Sequence, residues 1–141
     1  MYNATPHTIT LISEGRHYQI PPSGDPIRLD MPDRTSAGQA TVEGRNFPVV
    51  YDTSFALGAV LDCAYKIGAA SRSMGGTHVI VPLMVMQALR DWANDSVLRH
   101  QQQDAICFAL RYSLSPDTSP DSVVRDDEGR IVGVRQLVCA P

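Results

Sequence analysis

The chain has 141 residues, of which 43% are hydrophobic and 19% charged, and its formal net charge is −3. This length fits a single domain, residues 1–141, with a core large enough to fold without disulfides or metals. The composition excludes overall disorder, and an acidic balance without a basic run argues against a nucleic-acid-binding protein.

The strand signals begin close to the N-terminus. Residues 9–12 and 16–20 are rich in β-branched and aromatic side chains and flank the turn Ser13-Glu14-Gly15. They predict a first hairpin. Pro21-Pro22-Ser23-Gly24 should end it, because proline cannot donate to a strand ladder. This stretch is either a simple turn or a small nest of backbone N–H groups that binds an anion.

The next segment combines a short strand with a long polar stretch. Ile27-Arg28-Leu29 predicts a strand with Arg28 on the face opposite its two apolar neighbours. Residues 30–46 are rich in Asp, Pro, Gly, Thr and Ser and predict a loop, with residues 40–42 paired at an edge. Residues 47–51 predict another strand.

Helical spacing marks the centre of the chain. Residues 52–54 offer an N-cap, and apolar residues recur at three- and four-residue spacing through Gly68, which predicts helix one. Residues 71–76 predict a loop and residues 79–81 a strand or buried turn. Helix two should begin at Pro82 and either continue to about residue 103 or break near residues 94–96.

The C-terminal third should return to strands. Residues 105–110 are apolar and fit either helix or strand, and residues 113–122, with two prolines, predict a loop. The pairs Val123-Val124 and Ile131-Val132 flank Asp126-Asp127-Glu128-Gly129, which predicts a second hairpin closed by a glycine at positive φ. Strands at both ends therefore predict an α+β fold, a mostly antiparallel sheet from N- and C-terminal hairpins packed on two central helices.

Arginine dominates the basic residues, since Lys66 is the single lysine among twelve. Arginine suits bidentate recognition of carboxylate or phosphate, although a GC-rich genome would produce the same bias. Arg125, Asp126 and Arg130 straddle the turn of the second hairpin. They form either a solvated cross-strand ion pair or a charged fork that grips a phosphate.

A polar cluster, Asn3-Ala4-Thr5-Pro6-His7, precedes the first hairpin. It either anchors the N-terminal backbone through local side-chain bonds or lies at the rim of a ligand site. Signals for catalysis are few, because the chain has no G-x-S-x-G, no P-loop and no dinucleotide fingerprint. The four histidines stand in unrelated contexts, so we expect no metal site and no cofactor.

The compartment follows from the cysteines and the first residues. Three cysteines without a C-x-x-C pair argue against a disulfide framework or a zinc site. The N-terminus lacks the charged and apolar regions of a signal peptide, and the longest apolar stretch, residues 79–86, is too short to span a membrane. We therefore expect a cytoplasmic protein without a membrane partner.

Three motifs together resemble a known family. The chain has N-x-T-P-H at residues 3–7, P-P-S-G at residues 21–24 and V-R-D-x-x-G-R-I-V-G at residues 124–133. This ordered set is similar to a family of small, uncharacterised bacterial and phage proteins, over residues 3–28 and 120–137. Residues 79–82 depart from the family, whose members carry a strand ending in Ser there, and residues 91–118 resemble an insertion.

The resemblance and the arginines suggest a binding protein rather than an enzyme. By analogy of size and chemistry, it would sequester an anionic, nucleotide-like small molecule, as Thoeris anti-defence proteins capture cyclic ADP-ribose isomers. A phage-encoded sponge of this kind would act in the host cytoplasm. The predicted ligand-binding residues are Asn3, Thr5, His7, Arg28, Arg125, Asp126 and Arg130, and no catalytic residue is assigned.

Two alternatives remain open. The chain could be a nucleotide-processing enzyme with His7 as general base. It could also be a structural or adaptor protein whose apolar helix faces build an oligomer without a ligand. Helix two is apolar around more than half of its circumference, so we expect a homo-oligomer under each hypothesis.

Overall fold

The computed structural model describes residues 1–30, 34–52 and 55–140 and has the predicted α+β fold. The helices within these residues are α1 (Leu57–Ser73), α2 (Leu83–Trp92) and α3 (His100–Tyr112). The strands are β1 (Tyr2–Asn3), β2 (Ile9–Ser13), β3 (Arg16–Ile20), β4 (Arg34–Val42), β5 (Arg45–Asp52), β6 (Val79–Ile80), β7 (Ser113–Pro116), β8 (Val123–Arg125), β9 (Ile131–Val134) and β10 (Leu137–Cys139).

The first sheet has the order β1-β6-β7-β10 and lies against the helices. β6 pairs in parallel with β1 and with β7, while β7 and β10 are antiparallel. Residues 79–81 are completely buried, as expected for an apolar run in a central strand with parallel neighbours. The helices α2 and α3 form the crossover that returns the chain from β6 to β7.

The second sheet joins the two predicted hairpins in the order β3-β2-β9-β8. The N-terminal hairpin is confirmed, with Glu14 and Gly15 both at positive φ in its two-residue turn. The C-terminal hairpin is also confirmed, and Gly129 has the predicted positive φ, +81°. The two hairpins meet through a parallel pairing of β2 with β9, which the sequence did not indicate.

The largest error of the sequence analysis concerns residues 30–46. Residues 34–39 belong to strand β4 (Arg34–Val42) rather than to a loop, whereas the predicted pairing of residues 40–42 is confirmed. β4 pairs with β5 in a two-stranded antiparallel ribbon. Glu43 and Gly44 close this ribbon with positive φ values of 50° and 75°. β4 escaped prediction because Thr, Ser, Gly and Gln are typical of loops unless a partner strand supplies the ladder bonds.

Two further boundaries differ from prediction. α1 continues to Ser73, so residues 71–73 are helical rather than loop. Residues 113–116 form strand β7 rather than loop. The alternative of a break near residues 94–96 is confirmed, because residues 93–99 separate α2 from α3, and the described chain therefore has three helices rather than two. The Asp95 carboxylate stabilises the break by accepting a hydrogen bond from Val97 N–H. The proposed N-cap residues Thr53 and Ser54 lie outside the described residues.

The core lies between the first sheet and the three helices. Its largest fully buried side chains are Ile67, Met86, Leu89 and Ile106. Ile27 and Leu29 also belong to it, and Arg28 between them is exposed as predicted. No strand is assigned to residues 27–29, although Ile27 N–H donates to the carbonyl of Ala4.

Candidate functional site

The predicted N-terminal residues Asn3, Thr5 and His7 lie together and bond to one another. Asn3 is fully buried, and its Nδ2 donates to the carbonyl oxygens of His7 and Ile20 at 2.8 Å each. Its Oδ1 accepts from the backbone N–H of Thr5 at 3.0 Å and from the Thr5 hydroxyl at 2.7 Å. The Asn3 amide therefore uses both donors and both lone pairs inside the chain.

This cluster also anchors the P-P-S-G segment. The backbone N–H of Asn3 donates to Ser23 Oγ, and the Ser23 N–H returns a bond to the Asn3 carbonyl. The contacts are those of the anchoring alternative for Asn3 and Thr5, while His7 is exposed. A role for the three residues in ligand binding remains a prediction.

Arg125, Asp126 and Arg130 also lie together, within the β8–β9 turn. Asp126 Oδ1 accepts from the backbone N–H groups of Glu128 and Arg130, and Oδ2 accepts from Arg130 Nε at 3.0 Å. Arg130 further contacts Glu128 at 2.9 Å, and Arg125 donates to the Gly129 carbonyl at 2.7 Å. These bonds hold the pKa of Asp126 below its usual range, mainly through the Arg130 N–H.

The charges of this turn are thus largely engaged with one another. Arg125 lines a small cleft of about 310 Å³ with Thr118, Pro120 and Val123. Arg28 lies beside α1, where its backbone carbonyl accepts a bond from Cys63 Sγ at 3.4 Å. Among the contacts of the described residues, none joins Arg28 to the β8–β9 turn or to the N-terminal cluster. That these residues bind one ligand together remains a prediction.

A cleft between α1 and α3, which the sequence analysis missed, combines features that a planar ligand requires. Its volume is about 390 Å³. It is lined by Ala64, Tyr65, Gly68, Arg72, Gln101, Asp104, Ala105 and Phe108. Most of this lining is apolar or aromatic, and a cation, a carboxylate and an amide supply the polar groups. Sites for small molecules have this composition.

An arginine lies over an aromatic ring in this cleft, and further rings pack behind it. The Arg72 guanidinium carbon lies 4.6 Å from the centroid of the Phe108 ring, a cation–π contact. Phe108 packs against Tyr112 with ring centroids 4.7 Å apart, and Tyr112 in turn contacts His78 at 5.8 Å. The result is a row of mutually tilted rings that begins at the cleft and ends at His78, immediately before β6.

Two small residues, Ala64 and Gly68, line the α1 side of the cleft. A Cβ added to Gly68 would lie 3.4 Å from Arg72 Nη1 and 3.6 Å from a ring carbon of Phe108. These are ordinary contact distances, so Gly68 lies next to both side chains. The spacing of Ala64, Gly68 and Arg72 is four residues, which places all three on one helix face. That spacing was visible in the sequence, but its partner face became recognisable only with α3 assigned.

Three other functional features could occur in the described residues, namely metal sites, membrane-spanning helices and reactive cysteines. No group of three or more His, Cys, Asp or Glu side chains there could hold a metal ion. No described helix has the length and apolar character needed to cross a membrane. Cys63 is buried, and burial raises the pKa of its thiol, whereas Cys107 and Cys139 are exposed.

Comparison with known proteins adds no relative. No protein-family model matches the chain, and no curated protein or solved structure shows significant similarity to it.

Proposed function

We propose that the protein binds and sequesters an anionic, nucleotide-like small molecule, and that the cleft between α1 and α3 receives it. The observation that carries the proposal is the Arg72 guanidinium over the Phe108 ring, in a cleft that the Asp104 carboxylate also lines. A base would stack on the aromatic wall, Arg72 would pair with a phosphate, and Asp104 would accept from a hydroxyl or exocyclic amine.

The size of the cleft supports this ligand class. Ligand pockets of proteins measure roughly 300–1,000 Å³, and the cleft has about 390 Å³. One nucleotide unit fits this range better than a polymer does. The net charge of −3 makes non-specific attraction of nucleic acid weak. Signals of the cyclic ADP-ribose type belong to the proposed class, and for a phage-encoded protein their capture would be an anti-defence function in the host cytoplasm.

Thermal unfolding tests the proposal. The protein is heated with AMP, ADP-ribose or cyclic ADP-ribose, and with adenosine or inorganic phosphate alone. At a ligand concentration about 100-fold above Kd we expect Tm to rise by roughly 5–10 °C. Absence of any shift with every nucleotide at millimolar concentration would overturn the proposal. Recovery of unchanged ligand after denaturation separates sequestration from the alternative of a nucleotide-processing enzyme.

Matched arginine variants locate the site. Arg72→Gln should abolish most of the nucleotide-induced shift because it removes the stacked cation. Arg90 is an exposed arginine at the end of α2 and does not line the cleft. Arg90→Gln should therefore leave the nucleotide-induced shift in Tm unchanged. Arg125→Gln tests the site predicted from the sequence. A loss confined to Arg125→Gln would move the ligand to the β8–β9 turn and overturn the assignment of the cleft.

A further inference from the structure

The β4–β5 ribbon has two chemically different faces, defined by its strand register. Directly opposed residues share a face, and the paired positions Ala40↔Phe47, Gly38↔Val49 and Thr35↔Tyr51 lie on one of them. Val42 and Arg45 complete this apolar face near the turn. The other face is polar, with the pairs Thr41↔Asn46, Gln39↔Pro48 and Ser36↔Val50.

The apolar face is exposed along its length. Every residue from 34 to 51 is exposed, including Val42 at 55%, Phe47 at 49% and Tyr51 at 54%. An antiparallel ribbon with one apolar face normally lies with that face on a core. A two-stranded hairpin by itself is at best marginally stable in water. A partner surface is therefore required for the ribbon to hold this conformation.

We propose that this apolar face packs against a second copy of the chain, as the centre of a homodimer interface. The partner must be present whenever the ribbon is folded, because the ribbon depends on it, and another copy of the same chain meets that condition. The face carries one charged residue, Arg45, which is typical of the depleted charge at homodimer centres.

The dimensions of the ribbon fit such an interface. Eight residues of β5 at about 3.4 Å each extend roughly 27 Å. The apolar face contributes eight residues, 35, 38, 40, 42, 45, 47, 49 and 51, whereas a standard interface uses about 20–30 residues from each partner. The face would therefore form the centre of the interface, and neighbouring surface of the chain would complete it. A twofold axis would place the same apolar face on both copies, as closed dimers require.

The ribbon edges disfavour a different mode, the pairing of strands edge to edge. β5 contains Pro48, which has no N–H to donate to an added strand. β4 has an irregularity between Ser36 and Gly38, and Gly38 has a φ of +97°. Prolines and bulges are the features that protect sheet edges from further pairing. Packing of faces therefore remains as the mode of association.

Two adjacent valines provide a matched test. Val49 lies on the apolar face and Val50 on the polar face, and they are 38% and 48% exposed. Sedimentation velocity of the full-length chain should give a dimer mass for the wild type. Val49→Asp should weaken dimerisation at least about tenfold, whereas Val50→Asp should leave it unchanged.

Each other outcome overturns the proposal. If the wild-type chain is monomeric at roughly 100 micromolar, the apolar face must pack against a different partner. Equal dimerisation of both variants would place the interface elsewhere. Loss in both variants, with helix content retained by circular dichroism, would mean that the contact is not specific to the apolar face. None of these results depends on whether the cleft between α1 and α3 binds a nucleotide.

Discussion

Asn3 is the residue whose environment decides most about the N-terminal motif. From the sequence, its polar side chain could face a ligand or tie down the backbone. In the structure the amide connects residues 5, 7 and 20, and its burial is complete. A polar side chain buried to this degree is retained for the bonds it makes.

Asn3→Ala should therefore lower the free energy of unfolding by about 2–3 kcal/mol, because it leaves the carbonyl of Ile20 without its donor. Urea denaturation measures the loss. Asn94→Ala, at an exposed position between α2 and α3, serves as the control and should change stability by no more than about 0.5 kcal/mol. Equal small effects of the two substitutions would show that the Asn3 network contributes little to folding.

The residues of the cleft between α1 and α3 could not be recognised one by one from the sequence. Arg72, Asp104 and Phe108 carry no motif, and each is ordinary for a helix surface. Their proximity depends on the crossing of α1 with α3, and α3 was ambiguous because residues 105–110 fit both periodicities. The sequence analysis favoured arginines next to turn signals, where the structure shows them engaged with Asp126, Glu128 and the Gly129 carbonyl.

Among the elements, the pairing of β2 with β9 joins the two ends of the chain and depends on one glycine. A Cβ added to Gly133 would lie 2.8 Å from the carbonyl oxygen of Thr10 and 2.8 Å from the Ile12 Cδ1 atom. Real Cβ atoms do not approach a backbone oxygen so closely, so any side chain here must separate the strands. Gly133 is thus required by the close contact of two strands rather than by a turn.

Gly133→Ala should destabilise the protein by about 1–3 kcal/mol through this overpacking. Gly58→Ala provides the contrast, because Gly58 lies in α1 with open space around it. That substitution should stabilise the protein by at most about 1 kcal/mol. Chemical denaturation of the two variants and the wild type measures both signs. A neutral Gly133→Ala would contradict the close approach of β2 and β9.

On the scale of the whole molecule, the core and the ribbon are separate regions of the described chain. The buried cluster comprises residues of the helices and the first sheet together with residues 4, 27, 29, 81 and 93, and it includes no residue of β4 or β5. The rest of the described chain, residues 1–30 and 55–140, is called the body here, and it should hold its structure without the ribbon.

Replacement of residues 35–51 by a flexible Gly/Ser linker tests this separation. The shortened chain should keep the helical circular dichroism signal of the body and unfold cooperatively, because the core residues are untouched. It should also lose self-association if the ribbon forms the dimer interface. Collapse of the helical signal would show that the body needs the ribbon to fold.

The sequence by itself determined the α+β class, both hairpins and their turns, and the start of α2. These depend on local patterns of β-branched residues, glycines and prolines. Tertiary structure alone decided that the two hairpins join in parallel through β2 and β9, that residues 34–39 belong to a strand and that Asn3 points inward. Those outcomes depend on strand pairing and packing between residues that are far apart in the chain. Such long-range contacts produce no recognisable pattern within a short stretch of sequence.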